Sequence, residues 1–92
     1  MWEIFEHQSL VKKLAKLPID IVKRYEKWKD IAMISGPEGL KLIKGFHDEE
    51  LKGKWRGYRS SRLNIQYRII YKIDKGKFYV QVMDINPHDY RR

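Results

Sequence analysis

Between residues 65 and 85 the apolar side chains of this chain recur at every second position, with one interruption. The odd positions read Ile65, Tyr67, Ile69, Tyr71 and Ile73, while the even ones read Gln66, Arg68, Ile70 and Lys72. After Asp74-Lys75-Gly76 the pattern resumes, with Phe78, Val80 and Val82 sharing one face and Tyr79, Gln81 and Met83 the other. Successive side chains of a strand point to opposite faces, so this spacing predicts two strands over 65–73 and 78–85. Asp74-Lys75-Gly76 is short enough for a hairpin turn, with Gly76 available for a positive φ. Trp55–Leu63 is expected as a third strand, joined through a short turn at Asn64, and Trp2–Glu6 as a weak edge strand. Such a sheet has an apolar face that the remaining chain must cover.

Upstream the period becomes helical. Ser9 is a candidate cap for a short helix with Leu10, Leu14 and Leu17 on one stripe, ended by Pro18. Pro18 in turn suits the first position of a second helix, in which Ile21, Tyr25, Trp28 and Ala32 recur at helical spacing. Ser35-Gly36 breaks it, and Pro37 opens a short helical turn through Leu40 and Ile43, closed by Gly45. The expected class is α+β: an antiparallel-dominated sheet of about four strands with an N-terminal helical hairpin packed on one face. Ninety-two residues make one domain, 1–92, with a core too thin for a large buried active-site cavity.

The charge is divided as sharply as the periodicity. Residues 1–50 carry nine basic and nine acidic side chains, whereas residues 51–92 carry eleven and three, so the whole +8 lies in the second part. Lys52, Lys54, Arg56, Arg59, Arg62 and Arg68 fall in a window without one acid. Alternation along a strand puts Arg56, Tyr58, Ser60 and Arg62 on one face and Arg59 on the opposite one. Arginine's planar fork suits phosphate, and a basic stretch free of acids points to a polyanion, with nucleic acid first. The competing reading is an edge strand blunted by charge against aggregation. With no cysteine, disulfides and thiolate metal sites are excluded, and zinc fingers with them. No signal-peptide pattern and no apolar run of about 18 residues is present, so a soluble, cytoplasmic protein without a membrane partner is expected.

Three histidines, His7, His47 and His88, stand in no HxxxH or HExxH spacing, and no metal or other cofactor is expected. Taken singly each reads as a surface or packing histidine. His88 differs through its neighbours: Asn86-Pro87-His88-Asp89-Tyr90-Arg91-Arg92 sets an imidazole, a phenol and two guanidiniums just after a strand. That tail either lies over the sheet beside the arginines or frays as a terminus. Glu49, within Asp48-Glu49-Glu50, is either part of a polar loop or a carboxylate beside the phosphate-binding residues. RNA transesterification needs a base for the 2′-hydroxyl, a cation for the phosphorane and an acid for the leaving 5′-oxygen. Glu49, the arginines and the tail fill those roles if the fold unites them.

The segment Gly57-Tyr58-Arg59-Ser60-Ser61-Arg62-Leu63-Asn64-Ile65-Gln66-Tyr67-Arg68-Ile69-Ile70-Tyr71 resembles the central hairpin of YoeB-like members of the RelE/ParE superfamily of bacterial type II toxins. It shares their G-Y-x-S-x-R start and their Arg-hydrophobic-hydrophobic-Tyr end. Lys54-Trp55-Arg56 and Arg62-Leu63-Asn64 are also similar to HigB-type relatives. The resemblance implies a RelE-like fold over essentially the whole chain. It also implies a ribosome-dependent, metal-independent endoribonuclease that cuts mRNA in the A site to a 2′,3′-cyclic phosphate and a 5′-hydroxyl. On matching positions Glu49 would be the general base, Arg68 the phosphate-stabilising cation, and His88 with Tyr90 the acid pair. Arg62 would be a further phosphate or ribosomal RNA contact, beside Lys52, Lys54, Arg56, Arg59, Arg91 and Arg92 as RNA-binding residues. Asp89 separates His88 from Tyr90, where YoeB-like members have the two adjacent, so each of the three is a candidate acid. The implied partners are the ribosome with its mRNA and a cognate antitoxin, the toxin alone being monomeric and the complex oligomeric. A ParE-like, non-enzymatic inhibitor of DNA gyrase and a plain RNA-binding module are the alternatives.

Overall fold

The computed structural model describes residues 1–77 and 79–87. Five strands form one sheet in the order β1-β5-β4-β3-β2: β1 (Glu3–Glu6), β2 (Glu49–Glu50), β3 (Arg59–Arg62), β4 (Tyr67–Asp74) and β5 (Tyr79–Pro87). Two helices, α1 (Gln8–Leu14) and α2 (Ile19–Leu42), lie between β1 and β2 in sequence. The expected α+β class is present, and two of its details are corrected. The sheet has five strands rather than about four, and it is mixed, because β1 runs parallel to β5. Parallel pairing needs a long crossover, which the helices and the hairpin strands together supply. Nor is the helical part a hairpin of matched helices. α1 is seven residues long and packs beside β5, whereas α2 spans twenty-four.

The long hairpin is where the alternation placed it. β4 and β5 pair antiparallel from Tyr67↔Pro87 to Asp74↔Tyr79, with a register shift at Ile70/Tyr71 that leaves Met83 as an extra residue. Ile69, Tyr71, Val80, Val82 and Ile85 are fully buried in one core with Tyr25, Trp28 and Ala32 of α2 and Leu10 of α1. Each fully buried Leu, Ile or Val there contributes roughly 1.5–3 kcal/mol by leaving water. Trp28 stacks on Tyr25, and Tyr71 meets it edge-on at 5.1 Å between ring centres. At the turn, Asp74 accepts from the Gly76 amide through its side chain and from the Lys77 amide through its carbonyl. Gly76 does not use a positive φ; the aspartate closes the turn instead.

Other boundaries move for local reasons. His7, not Ser9, caps α1, its Nδ1 accepting from the Ser9 amide at 3.2 Å. Pro18 is the residue before α2 rather than its first. Gly36 does break α2, at φ 66 and ψ −162, and Trp2 packs where a side chain there would stand. The third strand is shorter than Trp55–Leu63, because Gly53–Trp55 is a 3-10 turn and pairing starts at Arg59. Arg56, expected on that strand's polar face, therefore lies before it.

Candidate active site on the edge of the sheet

β2 is only two residues long, and its neighbours in sequence go to opposite sides. Asp48 turns to the helix-covered face. Its side chain is wholly buried, and both of its oxygens are occupied. Arg59 donates to Oδ1 from Nε at 2.9 Å and from an Nη at 2.6 Å. The Ser61 hydroxyl donates to Oδ2 at 2.6 Å, and the Tyr71 hydroxyl donates to the same oxygen. Arg59, Ser61 and Tyr71 share that face because Arg59 pairs with Tyr71 and Ser61 with Ile69 across β3 and β4. Burial and then the Asp48 charge push the Tyr71 phenol above its ordinary pKa, against the opposing pull of Arg59. Arg59 was expected to contact RNA. Instead it is 15% exposed and committed to Asp48, with Glu50 3.6 Å away as a second carboxylate.

The residues between these point the other way. Glu49 pairs with Ser60, Arg62 pairs with Arg68, and Arg68 pairs with Asn86, so all five lie along one face of β2-β3-β4-β5. Glu49, Ser60, Arg62 and Arg68 line one crevice of about 20 Å³, roughly the room for one water. Arg68 is steadied by Asn86, whose Oδ1 accepts from Nε at 3.4 Å, and Asn86 donates in turn to Asp84 at 3.0 Å. Lys13 of α1 closes that row with an ion pair to Asp84 at 3.0 Å. Burial would raise the Asp84 carboxyl, but the hydrogen bonds from Asn86 and Lys13 and the Lys13 charge bring it below its ordinary value.

The fifth residue lining the crevice is His47, which sequence reasoning left among the surface or packing histidines. It follows the 3-10 turn Lys44–Phe46 and holds the left-handed conformation at φ 43, ψ 47. Its proximity to Glu49, two residues on, was the available signal. Through Arg62 the crevice adjoins a larger hollow of about 200 Å³ lined by Arg24, Lys27, Phe46 and Leu63 among others, with no acid in its wall. Lys52, Lys54 and Arg56 are exposed on the loop between β2 and β3. His88, Tyr90, Arg91 and Arg92, together with Asp89, lie outside the described residues. Among those described, no helix is long and apolar enough to cross a membrane, and no cluster of three His, Asp or Glu could hold a metal ion.

The structure resembles solved toxins closely along its length. The archaeal RelE of a RelE–RelB complex from Pyrococcus horikoshii OT3 is 23% identical, with 97% of each chain covered and a TM-score of 0.76. A YoeB/ParE toxin from Agrobacterium tumefaciens is 17% identical over 95% of this chain and 99% of its own, with a TM-score of 0.73. A YoeB–YefM complex from Staphylococcus aureus matches at 18% identity over 97% and 99%, with a TM-score of 0.72. No family model and no curated protein matches the sequence. The fold is thus that of the RelE/ParE-like toxins.

Proposed function

We propose that this chain is the toxin of a type II toxin–antitoxin pair and that it cleaves mRNA on the ribosome. The observation that carries this reading is the crevice in which one carboxylate, Glu49, faces two arginines, Arg62 and Arg68, on the same sheet face. A ribose 2′-hydroxyl supplies the nucleophile, so the protein need only remove its proton and stabilise the phosphorane. The 5′-oxygen that leaves must also receive a proton. Glu49 stands on the side of the base. Arg68 and Arg62 offer fixed donors to the non-bridging oxygens, and the Arg68–Asn86 contact limits the reorganisation needed during reaction. The acid comes from the C-terminal residues, with His88 and Tyr90 the candidates and Asp89 between them. Asn86, which pairs with Arg68, precedes His88 by two residues. Lys52, Lys54 and Arg56, with Arg91 and Arg92, serve as the wider contact to RNA phosphates.

The toxin–antitoxin complexes among the similar structures support a cognate antitoxin as partner. The crevice is too small for a base, so the RNA backbone lies across the face. Primer extension on a message translated in a purified system tests the reading. Cleavage within the A-site codon only when ribosomes are present, lost in Arg68→Ala, is the expected result. An intact message together with inhibited DNA supercoiling would replace it by the gyrase reading.

A further inference from the structure

Resting on that reading, we propose that the base of the reaction is a pair, with His47 taking the 2′-hydroxyl proton and Glu49 stabilising the imidazolium that forms. Three observations lead there. First, His47 and Glu49 line the same crevice as Ser60, Arg62 and Arg68, the residues assigned to hold the reacting phosphate. Secondly, the residue between them is anchored. Asp48 is tied to Arg59, Ser61 and Tyr71 on the opposite face, which fixes the backbone from which both neighbours project. Thirdly, His47 is the single non-glycine residue with a positive φ among those described. A chain that needed only to reverse there would do so with least strain through glycine. Strain held by a titratable side chain beside a catalytic carboxylate is the kind of outlier that marks function.

The charged groups that share the crevice with His47 are Glu49 of β2, Arg62 of β3 and Arg68 of β4, and the His47 amide donates to the Lys44 carbonyl. In the step itself the 2′-O–H bond breaks and its proton passes to the neutral imidazole. The 2′-oxygen bonds to phosphorus, and the P–O5′ bond breaks. The 5′-oxygen is protonated by the acid from the C-terminal residues, leaving a cyclic phosphate and a 5′-hydroxyl. The imidazolium then returns its proton to solvent.

The test is single-turnover cleavage of ribosome-bound message across pH 5.5 to 8.5 by the full chain and three variants. An imidazole base gives a rate that rises through about pH 6–7, whereas a carboxylate alone gives a rise near pH 4 and a flat profile above it. His47→Gly keeps the left-handed backbone, so it should fold normally while losing about 10²-fold or more in rate. It should also lose the rising limb and regain rate with added imidazole. His47→Asn, which tolerates the same conformation, should be equally slow at an unchanged unfolding midpoint. Glu49→Gln should keep the limb while lowering the rate. If His47→Gly retains the limb, or imidazole restores nothing, the pair is wrong although the nuclease reading stands. If the unaltered chain cuts no message, both fall together.

Discussion

Two clusters of the same chemical kind hold the two edges of this sheet, and they are built to different standards. At the β1 edge, Glu6 accepts from the Tyr25 hydroxyl at 2.6 Å and from Lys29 at 3.2 Å, both on Oε2. Glu6 and Lys29 keep about a quarter of their side-chain surface in water, at 24% and 23%. At the β2 edge, Asp48 has none, uses both oxygens, and takes two hydrogen bonds from one guanidinium and one from each of two hydroxyls. The first cluster ties a parallel edge strand to α2. The second fixes a two-residue strand from which Glu49 faces the crevice. A strand that short has too few ladder bonds to define itself, so side chains define it. The β2 edge is thus held by a saturated buried network, while the β1 edge is held by a wet one.

Removing Asp48 should break the comparison most clearly. Asp48→Ala leaves the Arg59 charge and two hydroxyls without their acceptor, so unfolding free energy should fall by about 3–5 kcal/mol. Chemical denaturation reads this, and a loss below about 1 kcal/mol would mean that water replaces the carboxylate at no great cost. Glu6→Ala, measured in the same way, should cost less, about 1.5–3 kcal/mol, because Lys29 already keeps part of its side chain in water and can turn to solvent, leaving only the Tyr25 hydroxyl without its acceptor. The functional contrast should be wider than the energetic one. Near-complete loss of cleavage is expected from Asp48→Ala at temperatures where it remains folded, with Glu6→Ala cutting normally.

Both clusters contain a tyrosine that answers to alkali, and the carboxylate of the first adds an answer to acid. Burial would raise the Glu6 carboxyl, but the Tyr25 and Lys29 bonds and the Lys29 charge hold it below its ordinary value. Its contribution is present above the unfolded carboxylate pKa of about 4.3 and is lost as pH falls through the lower folded value. Burial would lower Lys29, but Glu6 and Glu26 raise it, so its contribution is lost only as pH rises beyond its ordinary value. Tyr25 and Tyr71 are both raised, chiefly by burial, and their contribution begins to fall once unfolded tyrosine ionises above about pH 10. Unfolding across pH 2 to 11 should therefore show a weakened acid limb in Glu6→Gln and a weakened alkaline limb in Tyr71→Phe. Exchange of the two effects would contradict the assignment.

Much of this fold could be read before any coordinates, and the unread part has a common cause. Tyr67, Ile69 and Tyr71 alternate over enough residues to fix which face is buried, and Gly36 breaks α2 where the sequence placed it. Arg62 and Arg68 share one face as the strand alternation placed them, and Glu49, which alternation did not place, lines the same crevice. Arg59 and Arg62, by contrast, are identical in a charge count and opposite in fate. Alternation had already turned Arg59 away from Arg62, and a guanidinium turned toward a core must find a carboxylate there. Asp48 immediately precedes the strand beside it, so the pair was within reach of the same reasoning. His47 was harder to read, because a left-handed turn resets the alternation and hides which side the imidazole takes. The parallel β1–β5 pairing spans nearly the whole chain, and four residues of weak alternation do not announce it.

The smallest expected effect concerns a third pin, between Lys13 and Asp84, with 39% and 35% of the side chains exposed. It is wetter than either cluster, yet its carboxylate is joined through Asn86 to Arg68. Lys13→Ala should cost under about 1 kcal/mol, since exposed ion pairs seldom contribute more. That cost should vanish in high salt, which screens an exposed pair but not a buried one. The Asp48→Ala loss should persist under the same salt, because Asp48 is sealed from solvent. Denaturation at low and high ionic strength separates the two. If the Asp48 loss shrinks with salt as the Lys13 loss does, the β2 edge is no better shielded than the rest of the surface. Its rigidity must then come from the ladder rather than from the buried carboxylate.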